Sequence, residues 1–448
     1  MNGFPIGLTD PPVFAPDLPR QADVVVIGGG VIGVMTAYHL AGLGSKVVLC
    51  EKGRIAAEQS SRNWGWIRQQ GRDFSELPIM IESLRIWQDL SAELGPELGF
   101  SQQGVLYLAR SEAEMAGFQA WTDQARGFGV DTEMRSRQAV QELIPDHRAP
   151  WIGGLFTGSD ARAEPWRAVP VLARAAQRRG AVIVENCAVR ALDRAGGCVV
   201  GVITENGRIA CDQVVVAGGA WSSLLLRREG VALPQLSVLA SVAATVPLPE
   251  VFAGNAADDL FAFRRRMDGG YTLALGANHD FFIGPDAFRA FAKFLPLLRK
   301  DFRSTRFLPR SSADYPDGWG TKRRWSGDEI SPFERQRVLN PKPNLKDLRK
   351  ATQYFAAAFP QIGVPPLRTT WAGMIDTLPD LVPVVDRIAA IPGLVVATGM
   401  SGYGFGIGPG MGRVVADLVR GRTIGHDLTR FRHSRFSDGS PIRLGPRL

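Results

Sequence analysis

Chemistry in this sequence is carried by glycines, arginines and one acidic residue rather than by a nucleophile with its base. The run VVVIGGGVIG, Val24–Gly33, places glycines at Gly28, Gly30 and Gly33, and VVLCEK, Val47–Lys52, brings in Glu51. Strand, glycine turn, helix, strand and acidic residue is the dinucleotide fingerprint, with the acid at about the usual ~20-residue offset. Gly28 permits the tight turn, Gly30 lets backbone approach a pyrophosphate, and Gly33 lets helix and strand pack closely. The helix start, Val31 and Ile32, offers free N–H groups and a positive dipole end to the phosphates. Glu51, followed by Lys52, can accept hydrogen bonds from the hydroxyls of an adenosine ribose and would repel a 2′-phosphate. FAD or NAD therefore fits, and NADP does not.

Other chemistries are thinly represented. Five histidines show no triad. The four cysteines, Cys50, Cys187, Cys198 and Cys211, show no CxxC pairing and no histidine partners, so reduced thiols and no metal site are expected. The net charge of +8 comes from dispersed basic residues without interleaved aromatics. That argues against nucleic acid and mildly favours anionic substrates. No window reads as a membrane span, and the N-terminus lacks the basic-then-apolar order of a signal peptide. It reads as a proline-rich surface arm on a cytoplasmic protein.

These groups need a scaffold, and 448 residues suit two domains. Cofactor-like segments recur at Asp23–Lys52, at Ala181–Trp221 and at Leu394–Val419. The last reads as a strand, a long glycine-rich loop over Gly399–Gly412 and a helix from about Met411. A domain built from separated segments implies inserts. The expected fold is α/β (α+β): a Rossmann-like dinucleotide domain over 1–83, 151–225 and 371–448, and an inserted antiparallel-sheet domain over 84–150 and 226–370. The runs LSVLASVAATV and FAFRRRMDGGYTLALG read as strands and Leu345–Phe359 as a helix.

Together these segments resemble the D-amino-acid-oxidase-like superfamily of FAD enzymes, which includes glycine oxidase, sarcosine oxidase and many amine dehydrogenases. SSRNWGWIRQQ, Ser60–Gln70, resembles the loop that passes under the flavin, with Ser60, Ser61, Asn63, Trp64, Gly65 and Trp66 on the cofactor. GGLFTGSDARAEPWR, Gly153–Arg167, resembles a substrate-side loop, with Glu164 where aspartate is usual. VVVAGGAWS, Val214–Ser222, resembles a second nucleotide motif, adding Gly218, Trp221 and the earlier Val189. WAGMIDTLPDLVPVV and ATGMSGYGFGIGPGMG resemble the C-terminal flavin signature, adding Gly399, Gly402, Tyr403, Gly404 and Phe405. The resemblance implies glutathione-reductase-type FAD binding, with that helix end beside the flavin edge where charge collects on reduction.

It also implies oxidation of a C–N bond to an imine, which water hydrolyses. The flavin carries the hard step, and arginine is the natural partner of a substrate carboxylate. Arg68 matches the arginine placed over the flavin, and Arg72 follows it. Arg264 and Arg266 form a second group. As alternate residues they share one face of a strand, with Arg265 on the other, so at least one of the three should meet solvent. Arg323, Arg324 and Trp325 form a weaker group. Trp64, Trp66, Tyr403 and Phe405 are the candidate cage, and Tyr403 and Arg264 join Arg68 as candidate catalytic residues. Every cysteine precedes residue 212, which implies non-covalent FAD. Ala274 stands where sarcosine-oxidase-like members carry an oxygen-activating lysine, a charge that a nearby arginine could supply instead, so dehydrogenase stays open beside the favoured oxidase. The expected substrate is a small anionic amine or amino acid: an N-substituted glycine, an iminodiacetate-like compound or a γ-glutamyl amine. The acceptor is O2, giving H2O2, or a quinone or other carrier. D-amino acids or proline are alternative substrates, and a non-catalytic subunit is a further reading. A monomer or homodimer is expected.

Overall fold

The computed structural model describes residues 4–276, 279–311 and 315–445. The β-branched runs VVVI, VVLC and QVVV are apolar on both faces, the pattern of strands inside a covered parallel sheet. They form the centre of a six-stranded sheet ordered Val384–Arg387, Leu394–Thr398, Gln213–Val216, Val24–Ile27, Val47–Cys50 and Val182–Val184. Only the edge strand Val384–Arg387 is antiparallel. Val24 lies opposite both Gln213 and Val47, so Ile27 and Val216 end together. The turns that leave them, at Gly28 and at Ala217–Gly218, converge at the sheet's carboxyl edge.

A second sheet of ten strands follows the order Thr305–Leu308, His279–Phe282, Leu236–Thr245, Tyr271–Leu275, Phe261–Arg265, Asn255–Ala257, Val105–Ala109, Gly153–Thr157 and Thr132–Ser136, with Leu367–Thr377 on the other side of Leu236–Thr245. It is antiparallel except where Asn255–Ala257 meets Val105–Ala109 and where His279–Phe282 meets Thr305–Leu308. Boundaries at 151 and 371 put Gly153–Thr157 and most of Leu367–Thr377 with the dinucleotide sheet; hydrogen bonding places both in the large sheet. The reason at the first is close approach. A Cβ on Gly154 would lie 2.6 Å from the carbonyl of Tyr107, so glycine lets the strands pair.

The C-terminal glycine run differs from its expected form. The helix starts at Gly404, not near Met411, and runs to Arg420. Its glycines pack rather than turn. A Cβ on Gly408 would lie 2.6 Å from Val31, one on Gly410 2.7 Å from the Ile79 carbonyl, and one on Gly412 2.6 Å from the Met35 carbonyl carbon. This helix therefore lies against Val31–Gly42 and Leu77–Leu94 at backbone contact. Pro409 cannot donate to the Phe405 carbonyl, and Ser83 is inserted at the same turn. The Gly410 N–H donates to Ser83 Oγ at 3.0 Å, and Ser83 Oγ donates to the Gly406 carbonyl at 2.8 Å. Trp87 Nε1 donates to the same carbonyl at 2.9 Å.

The N-terminal arm is anchored rather than merely laid on the surface. Phe14 is buried, Phe4 stacks on Trp166 at 4.2 Å, and Glu185 accepts the Val13 and Phe14 amides at 2.6 and 3.0 Å.

Candidate active site

A cleft of about 1290 Å³ runs from the carboxyl edge of the six-stranded sheet across to the ten-stranded sheet. At one end it is lined by Gly28, Gly30, Val31, Ile32, Glu51 and Lys52, with Val189, Gly218 and Trp221 beside them. Gly28 has φ +113°, and a Cβ there would lie 2.4 Å from the Ala217 carbonyl. Gly33 is outside the cleft because its work is packing: a Cβ would lie 1.9 Å from the Gly28 carbonyl. Gly30 is different. An added Cβ would meet only Ser60 Oγ, at 3.2 Å, so the space over its backbone is open. Ser60 Oγ accepts the Val31 N–H at 2.9 Å.

Glu51 closes this end. Its carboxylate accepts the Gly29 and Gly53 amides at 2.6 and 2.7 Å. Burial pushes its pKa up to about 6, against the pull of Lys52 and those amides. Lys52 lines the cleft with its ammonium already engaged by protein groups. It donates to Glu58 at 2.6 Å and to the Gln336 and Arg337 carbonyls, and lies over the Trp221 ring at 4.4 Å. Ser222 lines the cleft with a buried hydroxyl that has no partner. A donor-rich helix start, an open backbone at Gly30, a carboxylate at the strand end and an orphan hydroxyl together fit an ADP moiety.

Farther along, Asn63, Trp64, Trp66, Gly402, Tyr403, Gly404 and Phe405 line the cleft. Ser61, Gly65 and Gly399 do not. The Ser61 hydroxyl is buried without a partner, while Gly65 (φ +79°) and Gly399 (φ +79°) shape turns that a side chain would strain. The helix Gly404–Arg420 opens on this wall, and its first N–H groups have no intrahelical partners.

Arg68 is a cation of this chamber, between its two tyrosines. It is buried yet lines the cleft, 5.6 Å from the Tyr107 ring and 4.9 Å from the Tyr403 ring, and it donates to the Gln70 carbonyl. Burial opposes its charge, but Tyr107, Tyr403 and Asp160 outweigh burial and raise its pKa. Arg72 also lines the cleft, but each of its nitrogens already binds protein: Nε donates to the Arg68 carbonyl at 3.2 Å, and the terminal nitrogens to Glu76 at 2.9 Å and to the Tyr403 carbonyl at 2.8 Å. It fixes the turn that carries Tyr403.

The other predicted arginines are not brought to the cleft. Arg264 is 1% exposed and grips Glu164 through both nitrogens at 3.1 and 3.0 Å. Glu164 also accepts the Met267 amide, at 2.9 Å. Arg266 is buried against the Tyr271 and Thr245 carbonyls and Asp268. Arg265, expected on the opposite face, is only partly buried and pairs with the exposed Glu250 at 3.6 Å, so it is the one of the three that meets solvent. Arg324 is exposed, Arg323 binds Asp317, and Trp325 packs in a core. Tyr107 and Ser222, which line the cleft, and Asp160, buried outside its lining against the Gln69 and Gln70 amides, are residues that sequence reasoning missed. Tyr107 sits in an apolar strand and Asp160 in a turn, where each type has an ordinary role. Among the described residues no cluster of metal-ligating side chains occurs.

The family model described as FAD dependent oxidoreductase matches residues 23–418. The chain belongs to this family of FAD-dependent oxidoreductases. It is similar over 95% of both chains to the structure of L-amino acid deaminase from Proteus myxofaciens in complex with anthranilate, at 29% identity and a TM-score of 0.90. It is 25% identical to sarcosine oxidase subunit beta of Rhodobacter capsulatus over 95% of this chain and 92% of that one. Human mitochondrial sarcosine dehydrogenase is 31% identical over 49% of this chain but only 25% of its own length. The chain thus spans between a quarter and about half of the first sarcosine-acting relatives it matches. No helix among the described residues is long and apolar enough to cross a membrane.

Proposed function

We propose that this family member oxidises the C–N bond of a carboxylate-bearing amine, an amino acid or N-substituted amino acid, with FAD held non-covalently along the cleft. The observation that carries this reading is Arg68: a buried cation facing a cleft whose far end has the geometry of a dinucleotide cradle. FAD, when bound, supplies the acceptor for the hydride equivalent leaving the carbon next to nitrogen. Gly30 and the Val31 helix start would take the pyrophosphate, Glu51 the ribose, and the Gly404 helix start the flavin side. Arg68 would pair with the substrate carboxylate, and Tyr107 and Tyr403 would flank it and exclude water. Water then hydrolyses the imine to an oxo acid or aldehyde plus an amine. The ten-stranded sheet, which supplies Tyr107, would act as the substrate-binding unit. Cys50 and Cys187 line the cleft only at the Glu51 end, the adenosine end of this reading, which supports non-covalent attachment.

L-amino acids and N-methyl amino acids are the first substrates to test, because the deaminase and sarcosine oxidase relatives extend over nearly the whole chain. O2 and a quinone-type carrier are the competing acceptors. Ala274 is buried and brings no cation to the site, but Arg68 does, so both acceptors are to be tested. The test is turnover of an amino-acid panel in an oxygen electrode and, separately, with a redox dye. Peroxide formation makes the protein an oxidase, and turnover with dye alone makes it a dehydrogenase. Turnover restricted to amines without a carboxylate would sink the Arg68 reading.

A further inference from the structure

We infer that Asp160 is a positioning residue that sets the substrate arginine by binding backbone instead of the guanidinium itself. The inference rests on the reading that Arg68 holds the substrate carboxylate. Trp66–Ile67 pairs with Ala161–Arg162, Ile67 opposite Ala161, so continuing the ladder by one residue brings Arg68 opposite Asp160. Asp160 is fully buried. Its two oxygens accept consecutive amides, Gln69 N–H at 2.7 Å and Gln70 N–H at 3.2 Å, and the Gln69 side-chain amide adds a contact at 3.2 Å. The residue so clamped supplies the carbonyl, Gln70 O, to which Arg68 donates. The Gln70 side chain is fixed as well: its Oε1 accepts Thr157 Oγ1 at 2.8 Å, and Thr157 in turn meets Thr132 at 2.7 Å.

Glu164 and Arg264 are the internal contrast. There the carboxylate faces the guanidinium with both oxygens and fills its fork. At Asp160 the oxygens are turned to the amides, so the negative charge steadies Arg68 without occupying it. An anionic ligand can then take the remaining guanidinium N–H groups. A carboxylate accepting two amides is a charge-assisted clamp, stronger than a neutral one. Losing it should let the Gln69–Gln70 peptides rotate and the guanidinium wander.

Charged and titratable groups facing Asp160 are Arg68 from the paired segment and Tyr107 from Val105–Ala109, while Asp131 holds the neighbouring Ser159. Burial raises Asp160 to about 7 and Tyr107 to about 12. Asp160 is therefore ionised above neutrality and protonated below it. The clamp is present at high pH and is lost as pH falls through about 7.

The experiment uses the FAD-loaded protein and benzoate, which has no group that titrates near neutrality, with affinity read from the flavin absorbance perturbation. Asp160→Asn should weaken benzoate about tenfold, the scale of losing a hydrogen bond to a charged group, with FAD content unchanged. In an Arg68→Met background the same change should have no further effect. Wild-type affinity should fall as pH drops through about 7, and Asp160→Asn should flatten that profile. Should Asp160→Asn fail to fold, the wild-type profile still decides. A pH-independent wild-type affinity, or equal losses from Asp160→Asn with and without Arg68, would overturn the inference. Unchanged benzoate binding in Arg68→Met alone would overturn the underlying substrate reading instead.

Discussion

Two glycine runs look alike in sequence and do different work. Gly28–Gly33 makes a turn and leaves open backbone facing the cleft. Gly404–Gly412 is already helix, and most of its glycines exist so that three helices can touch backbone to backbone. Two arginines diverge in the same way. Arg68 and Arg264 are both buried, but Arg264 faces a carboxylate that fills its fork, whereas the carboxylate near Arg68 is turned to the main chain. Residue type states what chemistry is available. The neighbour that a side chain meets decides whether that chemistry is spent on the fold or left for a ligand.

The arginine contrast predicts the largest effects. Arg264→Met leaves Glu164 buried without its partner, so stability should drop by about 3–5 kcal/mol, read as a lower denaturant midpoint. Arg68→Met should cost little stability and should lower kcat/KM for carboxylate substrates about a hundredfold, on the scale of a lost charge-assisted pair. The opposite pattern, an unstable Arg68→Met and a stable but inactive Arg264→Met, would break the comparison.

The glycine contrast comes next. Alanine normally strengthens a helix by up to about 1 kcal/mol over glycine. Gly412→Ala should instead destabilise by about 1–3 kcal/mol, because its Cβ would lie 2.6 Å from Met35 and force the helices apart. Gly30→Ala should keep the fold, since only Ser60 Oγ is near, and should weaken FAD retention about tenfold, measured by equilibrium dialysis.

The smallest effect concerns pH. Burial holds Glu51 near 6 against its ordinary 4.5, so between those values the folded apoprotein binds a proton that the unfolded chain does not. The Glu51 contribution to apoprotein stability should therefore fall as pH rises from 4.5 to 6. Glu51→Gln should flatten that slope in chemical denaturation series, and an unaltered slope would remove Glu51 from the account.

The dinucleotide unit was legible because each of its residues acts through local chain geometry. A positive φ at Gly28, a helix start at Val31 and an acid at a strand end are set within one βαβ unit. The strands Leu236–Thr245, Phe261–Arg265 and Tyr271–Leu275 were legible for the same reason, as local apolar patterns. The helical state of Gly404–Gly412 was hidden because glycine content normally signals a loop, and only tertiary contact with Val31, Ile79 and Met35 reverses that sign. The fate of Arg264 and Arg266 was hidden because their partners lie elsewhere in the chain or on main-chain carbonyls. Tyr107 reaches the cleft, and Asp160 the segment that follows Arg68, only through pairings between segments distant in sequence.

The most direct test of the central claim is anaerobic reduction of the protein's visible flavin band by a panel of amino acids and N-methyl amino acids, with wild type and Arg68→Met compared side by side. One carboxylate-bearing amine should bleach the wild-type flavin rapidly, and Arg68→Met should need about a hundredfold more substrate or time. Equal bleaching of the two proteins, or a protein that acquires no flavin when FAD is supplied, would contradict that claim.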